Sequence, residues 1–144
     1  TGSYKADTWC LGSQYWGRIP HKPNYKARYG ILLDMVGGKN ATFYYERYSQ
    51  RTANSVMKKI WKAAESIGYG NVFIKESGGE ITDDHIYVHR FRQIPSVDII
   101  HYDSNTNTGF NPTWHTVDDN MENIDKNTLQ AVGQTVMHVI YNEK

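Results

Sequence analysis

Three short stretches of the chain hold the side chains that could do chemistry. The tract Gly109-Phe110-Asn111-Pro112-Thr113-Trp114-His115-Thr116-Val117-Asp118-Asp119-Asn120 sets one imidazole beside a bulky aromatic, behind a Gly/Asn/Pro loop and ahead of an acidic turn. That is the layout of a metal-binding loop. One histidine cannot hold a zinc ion, because catalytic zinc usually takes three protein ligands and keeps one position open. The second stretch is Asp83-Asp84-His85, which follows Gly78-Gly79-Glu80-Ile81-Thr82. The third is Asp34, a carboxylate inside an apolar run just before Gly37-Gly38.

Each stretch also has a purely structural reading. A strand-end carboxylate such as Asp34 can cap a turn or accept backbone N–H groups, although a buried carboxylate needs pairing of some kind and a metal or cationic substrate is one way to supply it. Asp83-Asp84-His85 reads equally as a solvated turn or a helix start, which these residue types favour. His115 reads as a hydrogen-bonded loop histidine or as a ligand. Asp118 and Asp119 would either accept from His115 or cap the acidic turn. His21, His89, His101 and His138 are weaker candidates.

The elements that must position these groups follow from pattern. Residues 7–16 read as a short helix stopped near Gly17, with Pro20 and Pro23 marking a loop. Residues 27–36 form an apolar run that suits a strand buried on both faces. Residues 52–67 follow a helical period with Val56, Ile60, Ala63, Ala64 and Ile67 on one face, and Gly68 as the stop. Residues 72–75 read as a short strand, residues 77–79 as a turn and residues 94–102 as another apolar strand. A last helix begins at an Asp125 N-cap and buries Leu129, Val132, Val136, Val139 and Ile140. Strands alternating with helices predict an α/β fold, a mostly parallel mixed sheet flanked by helices. All three candidate sites lie at or beyond strand carboxyl ends, where ligands of open α/β sheets bind, so they can converge.

Composition narrows the function classes. The 144 residues are 39% hydrophobic and 13% aromatic, enough for one domain with a real core. A net charge of +1, from 16 basic and 15 acidic side chains, gives no case for nucleic acid or an anionic membrane as the main partner. No apolar run approaches a spanning helix, and the first residues lack the apolar core of a signal peptide. A single cysteine, Cys10, excludes an internal disulfide framework. A chain starting at Thr1-Gly2 is expected to be a processed or truncated product.

Taken together, the three stretches resemble the carboxyl-terminal half of glutaminyl cyclase and the related zinc aminopeptidases. Leu32-Leu33-Asp34-Met35-Val36-Gly37 is similar to the family's strand end, and Gly78 to Ile86 to its Gly-Gly-x-Ile-x-Asp-Asp-His-Ile loop. Phe110 to Thr116, with Asp118-Asp119-Asn120 and Asn123, resembles its Phe-x-x-x-Trp-His-Thr-x-Asp-Asp-x-x-Asn segment. Order and spacing match from about residue 27 to the end. An Asp at position 83, where the aminopeptidases often have Ser, and Phe110 four residues before Trp114 lean towards the cyclase. Departures are Ile86-Tyr87-Val88 in place of Ile-Pro-Phe, about one extra residue before Pro95, and Asp98 where animal cyclases have a His.

The resemblance implies a zinc exopeptidase-like fold, with residues 1–144 as the carboxyl-terminal part of one catalytic domain. It implies His115 as a zinc ligand, Asp34 and Asp83 as catalytic acidic groups, and Phe110, Trp114, Ile81 and Thr82 as walls of the substrate pocket. The remaining zinc ligands and a catalytic Glu are expected upstream, so the isolated chain is expected to be inactive and to associate with an amino-terminal half of the same domain. The implied reaction converts the amino-terminal glutamine of a peptide or protein to pyroglutamate and releases ammonia. The alternative is a zinc aminopeptidase, in which Asp34 serves a second metal. Related enzymes are exported, which makes a periplasmic or envelope-anchored location the expectation.

Overall fold

The computed structural model describes residues 8–143. Among the described residues, four strands and five helices follow one another as α1 (Leu11–Arg18), β1 (Gly30–Asp34), β2 (Phe43–Tyr45), α2 (Arg47–Thr52), α3 (Asn54–Ser66), β3 (Phe73–Ser77), α4 (Asp84–Arg92), β4 (Ser96–Ile100) and α5 (Lys126–Tyr141), with a 3₁₀ turn over Met121–Asn123 before α5. β1 pairs parallel with β4, and β2 pairs parallel with β3. An antiparallel bridge between Phe43 and His101 joins the two pairs. The architecture is therefore α/β with parallel strand pairs flanked by helices, as the alternating pattern predicts.

The core forms where α3 and α5 cover the sheet. Trp61, Phe43, Phe73, Met57, Ile60, Ile99, Val97, Val132 and Val139 are all fully or almost fully buried there. Trp61 is its largest member, and its indole N–H donates to the carbonyls of Phe43 and Ile74 at 3.2 and 3.0 Å. A buried indole needs such a partner, and these two tie α3 to β2 and β3 at once.

β4 rather than β1 is the strand buried along its whole length. β1 is half-buried, with Leu33 44% exposed, because β4 is its sole hydrogen-bonded neighbour among the described residues. Side chains alternate across a strand. Val97 and Ile99 therefore enter the α3/α5 core, and Asp98 points to the opposite face, where α4 lies and His85 sits within 3.7 Å of it.

The helix expectations need two phase corrections. On α3 the buried line runs through Met57, Ile60, Trp61 and Ala64, and Val56 and Ala63 flank it. On α5 the buried residues are Thr128, Ala131, Val132, Thr135 and Val139, while Leu129 and Ile140 are 43% and 53% exposed. α5 lies against α3 through small residues, and Thr135 satisfies its hydroxyl on the Ala131 carbonyl at 2.7 Å, so its polarity costs little there. The Asp125 cap forms as expected, accepting from the backbone N–H of Asn127 at 3.0 Å. The first helix starts later than residue 7, which lies outside the described residues, and runs to Arg18.

Candidate active site

A cavity of about 540 Å³ opens beyond the carboxyl ends of β1 and β4, and Asp34, Ile81, Thr82, Asp83, Phe110, Trp114 and His115 all line it. Residues as far apart in sequence as Asp34 and His115 thus share one wall system. Trp9, Cys10, Met35, Glu80, Ile100 and Thr108 complete the lining. The sheet brings Asp34 in at the last residue of β1, directly opposite Ile100 of β4.

Two local backbone features aim these groups. Met35 and His115 both sit in the left-handed region, at φ 50 and 58. For non-glycine residues that conformation is sparsely populated and persists where surrounding contacts hold it. At Met35 it turns the chain sharply away after Asp34. At His115 it lays the imidazole against the Trp114 indole, with ring centroids 3.9 Å apart and planes 19° from parallel. Phe110 meets the same indole at 4.8 Å and 49°. The Asn111 side chain holds this loop by accepting from the backbone and hydroxyl of Thr113, both at 2.9 Å.

Asp83 does two jobs. Its carboxylate is the N-cap of α4, accepting from the Asp84 N–H at 2.7 Å, and it is also hydrogen-bonded to Asp34. Asp34 accepts in addition from the Met35 backbone N–H. Burial, followed by the negative charge of Asp83 and the hydrogen bond to it, pushes the Asp34 carboxyl up to about 6. A neighbouring carboxylate disfavours the ionised form, so Asp34 keeps its proton well above the usual carboxylate range. The helix-start and functional readings of Asp83 are therefore compatible. His85 departs from the solvated-turn reading, since it is 1% exposed and belongs to the interior.

Metal fit divides the acidic groups. Cys10, Asp83 and Asp84 bring three donor atoms within 4.8 Å of one another. The Cys10 thiol, however, donates to Asp83 at 3.7 Å, and burial together with the charges of Asp84 and Asp83 pushes it up to about 12. A thiol so hard to ionise is a poor ligand. His115 is the better donor: its ring is exposed at the cavity, and its orientation is fixed by the stack on Trp114. It offers one nitrogen donor at the cavity, where catalytic zinc usually takes three protein ligands. Asp118 and Asp119 are exposed, and neither side chain is hydrogen-bonded to His115 among the described residues.

Two groups near the site were not among the sequence candidates. Glu46 is 2% exposed and caps α2. Burial pushes its carboxyl up, but donors from His85, Ser49 and Tyr48 outweigh that and bring it down to about 2. Asp98 is completely buried. His101, set aside as a weak candidate, is buried with its Nδ1 unpaired and lines a smaller cavity of about 240 Å³ that shares Asp34, Met35 and Trp114 with the larger one.

The residues 6–140 match the model of Peptidase family M28. The chain belongs to that family. It is 58% identical to the glutaminyl cyclase of Bacteroides thetaiotaomicron, with a TM-score of 0.95 over 100% of this chain and 49% of that one. The glutaminyl cyclase of Tannerella forsythia is 56% identical, with a TM-score of 0.95 over 100% of this chain and 50% of that one. A Zn-dependent exopeptidase from Parabacteroides distasonis is 58% identical, with a TM-score of 0.96 over 99% and 49%. The aminopeptidase YwaD of Bacillus subtilis is 29% identical over 90% of this M28 chain and 28% of its own length. The M28 chain thus spans about half the length of the solved structures it resembles.

Proposed function

We propose that this M28 chain carries the carboxyl-terminal part of a zinc-dependent glutaminyl-peptide cyclotransferase, which closes an amino-terminal glutamine to pyroglutamate and releases ammonia. The observation that carries the reading is the hydrogen-bonded Asp34–Asp83 pair facing an aromatic-walled cavity. Likeness to two glutaminyl cyclases above 50% identity supports it.

In this reading the α-amine of the substrate attacks its own side-chain amide carbon, a C–N bond forms, and the side-chain nitrogen leaves as ammonia. His115 would hold zinc together with ligands from outside these residues, and the chemistry the bound ion would supply is Lewis-acid polarisation of the amide carbonyl. Asp34, hydrogen-bonded to Asp83, holds its proton beside the reacting nitrogen atoms and keeps it available towards neutral pH, where acid–base groups work best. Phe110, Trp114 and Ile81 wall the glutamine side chain and exclude water, which strengthens the electrostatics of the acid pair. Thr82, exposed at the rim, borders the opening. The substrate is a peptide or protein with a free amino-terminal glutamine, and the partner completing the site is the amino-terminal half of the same domain. Export to the periplasm or envelope belongs to the same proposal.

The second reading is a zinc aminopeptidase, favoured by the match to YwaD and by the Zn-dependent exopeptidase structure. One experiment separates them: incubation of the complete polypeptide with a glutamine-initiated peptide, with product and metal analysis. One zinc, ammonia release and a blocked amino terminus support the cyclase. Free glutamine and two metals sink it.

A further inference from the structure

Behind the cavity wall lies a buried polar cluster, one contact short of a closed ring, that none of the roles above uses. Asp98 of β4 donates its backbone N–H to Ser49 Oγ at 3.0 Å, and Ser49 Oγ donates to Glu46 Oε2 at 2.7 Å. His85 Nε2 is 3.1 Å from the same Glu46 oxygen, and His85 Nδ1 is 3.7 Å from Asp98 Oδ2. Glu46, Ser49, His85 and Asp98 are each at most 2% exposed. Glu46 also accepts from the Ile81 backbone N–H at 3.0 Å, and Ile81 is a wall of the cavity two residues before Asp83.

For a neutral His85 the surrounding donors and acceptors select one tautomer. Glu46 accepts from Tyr48 N, Ser49 N, Ser49 Oγ and Ile81 N, so it stands as an acceptor-only carboxylate. The ring nitrogen facing it, His85 Nε2, must then carry a proton. The other nitrogen, Nδ1, offers a lone pair and has no hydrogen-bond partner as placed, and both carboxyl oxygens of Asp98 are in the same condition. An unpaired buried polar group costs free energy unless a partner is supplied. A protonated Asp98 satisfies both sides with one O–H···N bond to Nδ1, after a small side-chain adjustment from 3.7 Å.

We propose that Asp98, His85 and Glu46 form a positioning unit for the cyclotransferase site, in which a neutral Asp98 donates to His85, His85 donates to Glu46, and Glu46 clamps the Ile81–Asp83 segment so that Asp83 meets Asp34. The inference rests on the functional reading above and deepens it. The carboxylates around Asp98 favour a neutral acid, namely Asp34 on β1, Glu46 at the start of α2, and Asp83 and Asp84 at the start of α4, and the neutral His85 that faces it on α4 places no opposing charge there. Burial first, then the charge of Asp83, holds the Asp98 carboxyl well above the usual carboxylate range.

The test compares Asp98→Asn, which keeps an N–H donor in the same shape, with Asp98→Leu, which has similar size and no donor, in the complete polypeptide. With a glutamine-initiated peptide, Asp98→Asn keeps kcat within about threefold of the parent, whereas Asp98→Leu lowers kcat about tenfold or more with little change in KM, because small displacements of acid–base groups cost rate. Asp98→Leu leaves the buried His85 Nδ1 without a donor and so lowers the unfolding temperature by a few degrees, and an unchanged circular dichroism spectrum at the assay temperature shows that its kcat is read on folded protein. Parent-like kcat in the Leu variant overturns the positioning role, and equal loss in both variants overturns the neutral-donor assignment. Nitrogen NMR of ¹⁵N-histidine protein decides the ring arrangement without any substrate. A proton on His85 Nε2 and an acceptor-type Nδ1 are expected in the parent and in Asp98→Asn. A proton on Nδ1 overturns the arrangement even if the protein turns over no glutamine peptide.

Discussion

The carboxyl group of Asp34, at the end of β1, is hydrogen-bonded to the carboxylate of Asp83, the cap of α4, across 49 positions of sequence. The pair costs the fold something and keeps a proton on Asp34 above the usual carboxylate range. Asp34 is raised from 3.8 to about 6, so between these values the folded chain holds a proton that the unfolded chain has lost. Stability attributable to this group therefore falls as pH rises through that window and stays reduced above it.

Asp34→Asn should consequently gain about 1–2 kcal/mol of stability above pH 6, after allowance for solvent screening, and nothing below pH 4. In the complete enzyme kcat should drop about a hundredfold, since the amide cannot exchange the proton. Denaturant melts across pH and a rate assay measure the two effects. A variant less stable than the parent at pH 8 would contradict the linkage argument.

Glu46 predicts the opposite dependence. Its carboxyl lies at about 2 when folded against 4.5 when free, so its contribution is complete above 4.5 and is lost as pH falls towards 2. Glu46→Gln, which turns one acceptor oxygen into a donor facing donors, should cost about 3 kcal/mol at pH 7. Most of the difference should vanish by pH 2. Urea titrations of the two proteins at several pH values check this, and a constant gap would refute it.

Why Glu46 and Asp98 escaped the sequence reading is a matter of what residue patterns encode. Asp34, Asp83 and His115 stand next to glycine turns and aromatic residues, so their types and neighbours mark them. Glu46 lies between a strand of three residues and a helix of six, too short for either period to register. Helix α4 reads Asp-His-Ile-Tyr-Val-His-Arg-Phe-Arg, with apolar and polar residues mixed on every face, and its start is fixed by the Asp83 cap instead. The elements α3, β4 and α5 were legible because each lies in a sustained apolar pattern. The phase of α5 was not, since its buried face is built from Thr128, Ala131 and Thr135, chosen for close approach to α3. Asp98 carried one available signal, an acidic residue in the middle of an otherwise apolar strand.

The core should respond sharply to loss of a single N–H. Trp61→Phe keeps an aromatic ring against Phe73 and Tyr45 but removes the donor shared by two carbonyls and leaves space where the indole was. A cost of about 2–4 kcal/mol is expected from the two contributions. Equilibrium unfolding followed by circular dichroism measures it. A loss under 1 kcal/mol would mean that neighbouring groups take over the carbonyls.

Zinc should depend on Trp114 as well as on His115. The left-handed backbone at His115 and the parallel stack on Trp114 hold the imidazole in one orientation before any ion arrives. Groups that orient a ligand typically matter by about tenfold or more in metal affinity. In the complete polypeptide, Trp114→Ala should therefore lose zinc to a chelator at about a tenfold lower concentration than the parent, and His115→Ala at a lower one still. The isolated 144-residue chain offers one imidazole where three ligands are usual, and calorimetric titration should find no tight one-to-one site. Parent-like retention in Trp114→Ala would remove orientation by stacking from the account, and a tight site on the isolated chain would mean that Asp34 or Asp83 is a ligand in its own right.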